Sequence, residues 1–150
     1  MSDGPLPLKA IHHVELLVGN AKQAAYYYRH AFGFSQLAYA GPETGVRDQA
    51  SYVLYQGDIR LVLSTPLSPD DPMADHLRRH GDGVLDIAFL VDDVDECFQE
   101  AVARGANVAR EPYDRADQFG QVRRAKIRAY GDTLHSFISI ADYKGAFLPG

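Results

Sequence analysis

The sequence predicts an α+β fold: two tandem βαβββ modules forming an open eight-stranded half-barrel with the helices outside. Three observations carry this expectation. The stretch from Ile11, IHHVELLVGNAKQAAYYYRHAFG, and the stretch from Val84, VLDIAFLVDDVDECFQEAVARGA, present the same features in the same order. After each stretch the hydrophobic pattern drops to the period of two that marks strands. A proline-bearing segment, TPLSPDDPMADHLRRHGDG, separates the copies. A duplication of this kind decides the architecture before any single element does.

Each copy opens with a run rich in Val, Ile and Leu, which reads as a strand. A helix start follows. Asn20 stands three residues before Gln23, and Asp93 three before Glu96, the spacing of an N-terminal capping arrangement. Apolar positions then recur at Ala21, Ala24, Ala25 and Tyr28, and at Val94, Cys97, Phe98 and Ala101, as on a helix with one buried face. Gly33 and Gly105 are placed to close the two helices in the left-handed conformation.

In the first copy, residues 34–39, 49–55 and 59–64 read as strands, the last two joined through Gln56-Gly57-Asp58. Residues 108–110, 122–130 and 133–140 match them in the second, with Tyr130-Gly131-Asp132 at the corresponding turn. The connecting segment predicts an irregular start and a short helix over 74–80. The expected organisation is a tail over 1–10, one domain over 11–140 and a tail over 141–150. Within the domain, the first module covers 11–65, a linker 66–83 and the second module 84–140.

Composition bounds the function. Of 150 residues, 46% are hydrophobic and 23% charged, enough apolar material for a core and enough charge for solubility. Fifteen basic against twenty acidic side chains give a net charge of −5, which argues against nucleic acid as a partner. A single cysteine forms no internal disulfide and suits a reducing compartment. No apolar run approaches the ~18 residues of a membrane span. The start, MSDGPLPLKA, lacks the basic and apolar regions of a signal peptide. The expectation is a cytoplasmic protein without membrane partners.

Alternation along strands lists the faces. Val14, Leu16 and Val18 are expected beneath the first helix, and His13, Glu15 and Leu17 on the other face. Leu85, Ile87, Phe89 and Val91 are expected on the helix side of the matching strand, with Asp86, Ala88 and Leu90 opposite. On the closing strands, Ile59, Leu61 and Leu63, then Thr133, His135 and Phe137, are expected away from the helices. On this reading His13, Leu61, Asp86 and His135 hold equivalent slots.

The paired βαβββ pattern resembles the vicinal oxygen chelate superfamily, which includes the glyoxalase/bleomycin resistance fold. Members often bind a metal through residues of the opening and closing strands. More narrowly, VGNAKQAA (18–25), AFGF (31–34), ETG (43–45), QGDI (56–59), HGDGV (80–84), DIAF (86–89), YGDT before His135, and YKGAFLPG (143–150) look like the N-terminal half of the 4-hydroxyphenylpyruvate dioxygenase family. The 4-hydroxymandelate synthases are similar but match YKGAFLPG less well. The resemblance covers nearly the whole chain from Ile11. It implies a parent Fe(II) dioxygenase of tyrosine catabolism, which converts 4-hydroxyphenylpyruvate and dioxygen to homogentisate and carbon dioxide. In that family the iron ligands lie in the C-terminal half, and residues 141–150 resemble its inter-domain linker. The resemblance therefore implies no iron bound by this chain and no catalytic residues in it. The partners it implies are the C-terminal catalytic domain or a second copy, as a homodimer.

His13, Asp86 and His135 nevertheless supply two histidines and a carboxylate, the composition ferrous iron favours. Two readings stand: a metal site, or a buried polar cluster left from an ancestral one. Three functions stay open at this point. One is the non-iron N-terminal domain with a structural and oligomer-forming role. Another is a stand-alone binding module for a small aromatic or acidic ligand. The third is a small metalloenzyme using the three residues.

Other candidates read as structural. His12 points opposite to His13, and His76 and His80 have ligand spacing but belong to a polar helix. Tyr26, Tyr27 and Tyr28 span too many directions for more than one or two to be core, and the remainder suit a partner surface. Arg124, Lys126 and Arg128 form a stripe that reads as a solvated sheet face, with an anionic ligand as the alternative. Cys97 faces inward with nothing to activate it. Gly81-Asp82-Gly83 reads as a turn.

Overall fold

The computed structural model describes residues 4–149. Along the chain run β1 (Leu8–Leu17), α1 (Ala21–Phe32), β2 (Ser35–Ala40), β3 (Gln49–Gln56), β4 (Ile59–Pro66), α2 (Pro72–His80), β5 (Gly83–Val91), α3 (Val94–Ala103), β6 (Val108–Asp117), β7 (Gly120–Arg128) and β8 (Leu134–Ser139). The chain is thus α+β, built as βαβββ twice with α2 between the copies. It divides into two compact units, His13–Leu85 in one, and Asp86 onward with the residues up to His12 in the other.

In the His13–Leu85 unit the strands lie in the order β2-β3-β4-β1. β1 pairs β4 in parallel, whereas β2, β3 and β4 are antiparallel. Asn20 caps α1, its side-chain oxygen accepting from the Gln23 N–H at 3.0 Å. Gly33 closes the helix at φ 78°, where a Cβ would be strained. Ala21 and Ala25 then pack on Val18, Phe34, Leu54 and Leu63, with Leu16, Leu61 and Tyr28 at the margin.

The other unit repeats the plan in the order β5-β8-β7-β6, with β5 and β8 parallel. Asp93 caps α3 by accepting from the Glu96 N–H at 2.9 Å. Its core joins Val91, Val94, Cys97, Phe98, Ala101, Ala125 and Phe137. Burial pushes the Cys97 thiol up from its ordinary value, which leaves it a small apolar filler.

Two sequence expectations change. β6 runs to Asp117 rather than ending at residue 110, because register shifts on either side of Arg110 break the alternation that would have revealed it. Pro112, without an N–H for the ladder, lies within the second shift. The closing strands are also turned over. Leu61, Leu63 and Phe137 join the clusters beneath the helices instead of facing away from them. Both closing strands carry apolar residues on both faces, so alternation alone could not choose. The parallel register decides it, aligning Leu16 with Leu63 and Phe89 with Phe137.

Candidate functional site

Register also places two of the three candidate ligands, Asp86 and His135. Asp86 stands on the β5 face turned away from α3, shared with Ala88 on β5 and Ser136 on β8. It is 2% exposed. One carboxyl oxygen accepts from the Ser136 backbone N–H at 3.0 Å, the other from the Ser136 hydroxyl. The Lys126 Nζ lies 3.8 Å away. His135 aligns with Ile87 on the α3 side, its ring 5.1 Å from Phe89 and its Nδ1 3.2 Å from the Ile87 carbonyl. The structure therefore does not bring Asp86 and His135 to one face.

A ferrous site needs convergent donors, and this pair diverges while the carboxyl oxygens are already held by Ser136. These two residues do not fit the facial set. His13, in the other unit, is 2% exposed, and His12 is 5% exposed with its ring 5.4 Å from Phe147. His76 and His80 stack at 4.6 Å on α2.

The His13–Leu85 unit carries a cleft of about 480 Å³ at the start of α1, lined by Leu16, Asn20, Gln23, Tyr27, Tyr28 and Asp82 among others. Asp82 was missed by the sequence reading. Its Oδ1 accepts from the Gly19 N–H at 2.8 Å, which pins the α1 entrance across 63 residues of sequence. No local pattern announces such a contact. Nearby in the chain, the Tyr39 hydroxyl donates to Glu43 at 2.6 Å. That bond pushes the phenol up to about 12 and holds the Glu43 carboxyl below its ordinary value.

The unit containing α3 has a smaller cleft of about 250 Å³ at the start of that helix, lined by Asp92, Asp93, Asp95, Arg123 and Asp142 among others. Arg123 grips Asp95 with a two-point fork at 2.5 and 2.7 Å, and also reaches Asp114 at 3.1 Å. The fork holds the Asp95 carboxyl below its ordinary value of 3.8. A lowered carboxyl contributes stability above the unfolded-state value and loses it as pH falls through the folded one. Arg123→Gln should therefore lower the urea midpoint at neutral pH, and the gap to the parent should close in acid below 3.8. A gap unchanged in acid would show that the fork contributes nothing specific.

Arg124, next along β7, points to the opposite face. Its Nε is buried with no hydrogen-bond partner among the described residues, so the stripe is not simply a solvated face.

Residues 10–138 match the Glyoxalase/Bleomycin resistance protein/Dioxygenase superfamily. The chain belongs to this superfamily. It is 50% identical to a 4-hydroxyphenylpyruvate dioxygenase of Neurospora crassa, over 92% of the chain and 38% of that relative. A protein of the same name from Dictyostelium discoideum is 48% identical over 95% of the chain and 40% of its own length. A variant of 4-hydroxymandelate synthase from Streptomyces coelicolor superposes with a TM-score of 0.83 at 36% identity, covering 95% of the chain and 40% of that structure. The superfamily chain thus spans about two fifths of these relatives, corresponding to the N-terminal part of the dioxygenases. Among the described residues, no helix is long and apolar enough to cross a membrane.

Proposed function

We propose that this chain is the non-iron, N-terminal domain of a 4-hydroxyphenylpyruvate dioxygenase-like protein of the cytoplasm. The whole protein would convert 4-hydroxyphenylpyruvate and dioxygen to homogentisate and carbon dioxide, in tyrosine catabolism. The chain's part is structural: it supplies a duplicated scaffold and a surface for the iron-bearing domain or for a second copy. The supporting observation is identity of 48–50% over more than nine tenths of the chain to dioxygenases of that name. The diverging Asp86 and His135 support an iron centre outside this chain. Tyr26 and Tyr27, 64% and 56% exposed on α1, give it an aromatic surface of the kind interfaces favour.

A hybrid tests this reading. The chain is exchanged for the matching part of the Dictyostelium discoideum dioxygenase, and substrate-dependent dioxygen uptake is measured. The hybrid should retain uptake, because a scaffold that is 48% identical supplies the same surfaces. A folded, iron-loaded hybrid without uptake would contradict the proposal.

A further inference from the structure

We infer that the face of the β5–β8–β7–β6 sheet turned away from α3, centred on Arg124, binds a small oxyanion carrying carboxylate or phosphate groups. The alternation of β7 separates two neighbouring arginines. Arg123 faces α3 and is fully engaged by Asp95 and Asp114. Arg124 faces the other way, and its buried Nε–H has no acceptor among the described residues. A guanidinium stays charged at all ordinary pH, so a donor shut off from water without a partner is a place where an acceptor is wanted.

The surroundings sharpen the sign of that acceptor. Cross-strand register puts Tyr113 opposite Arg124 and Arg110 opposite Lys126, while Arg128 follows on the same face of β7. Arg110 lies over the Tyr113 ring at 3.5 Å from its centre, which holds that guanidinium beside the stripe. From β8, Ile138 and Ser136 stand opposite Arg124 and Lys126. The acid on this side, Asp86 of β5, is committed to Ser136, and Lys126 stands 3.8 Å from it. Asp117, further along β6, accepts from Tyr143 and from the Phe119 N–H. The face therefore presents an excess of cationic donors, and one enclosed donor, the Arg124 Nε–H, lacks an acceptor among the described residues. An oxyanion accepting from Arg124, with Lys126 and Arg110 as neighbours, supplies the missing charge and the missing bond.

This inference stands apart from the proposed scaffold role, and its test needs no turnover. The full chain, nitrogen-labelled, is titrated with citrate and separately with inorganic phosphate against chloride at matched ionic strength, following the arginine Nε–H signals. The Arg124 signal should shift saturably, and that of Arg79, an exposed partner of Asp75, should not. A response to citrate alone assigns a carboxylate ligand, to phosphate alone a phosphate ligand, and to both a general oxyanion site. Arg124→Gln should weaken binding about tenfold or more, as loss of a charge-assisted bond implies, and Arg79→Gln should leave it unchanged. Should Arg124→Gln fail to fold, Arg110→Gln takes its place and should weaken binding in the same direction. No saturable shift of Arg124 with either anion, or equal binding by the Arg124 and Arg79 variants, overturns the assignment.

Discussion

Phe137→Ala should cost roughly 3–5 kcal/mol of stability, the usual range for truncating a buried aromatic. Phe137 is 2% exposed and joins β8 to the α3 cluster of Val91, Val94, Cys97, Phe98, Ala101 and Ala125. Its register partners are Phe89 on β5 and Ala125 on β7, so the cavity would open at the centre of three strands and beneath the helix. Urea unfolding of parent and variant measures it. A loss below about 1 kcal/mol, the level of an ordinary surface change, would mean that Phe137 points away from α3, the side expected from the sequence.

The second large effect concerns Asp86. Removing its side chain in Asp86→Ala leaves the Ser136 N–H and hydroxyl without their acceptor in a buried setting. The expected loss is about 2–4 kcal/mol, from unmet polar groups together with the small void left behind. Asp86→Asn should recover most of it, because an amide oxygen still accepts from the backbone N–H and the serine hydroxyl can reorient. If Asp86→Ala instead unfolds like the parent, the carboxyl is not a structural clamp on β8.

These two residues mark what the sequence could and could not disclose. The module repeat, both helix caps and the left-handed Gly33 were legible because they depend on residues a few positions apart. The face occupied by β8 was not, because Leu134, Phe137 and Ile138 leave the strand apolar on both sides. Only its parallel pairing with β5 resolves the ambiguity, and pairing across 48 residues leaves no local trace. The same cause undoes the apparent kinship of Asp86 and His135: equal steps along two strands do not guarantee a shared face. Asp82 was unreadable for a similar reason, since its partner Gly19 lies in a distant turn. Arg124 was visible as one member of a basic stripe, but its enclosure emerges only once β6 and β8 flank β7.

Dioxygen uptake by the isolated chain tests the central claim most directly. Purified chain is supplied with Fe(II) and 4-hydroxyphenylpyruvate, and uptake is followed alongside the iron retained after gel filtration. The account predicts uptake no faster than iron alone and no stoichiometric iron on the protein. Sustained uptake proportional to protein concentration, with one iron retained per chain, would contradict it.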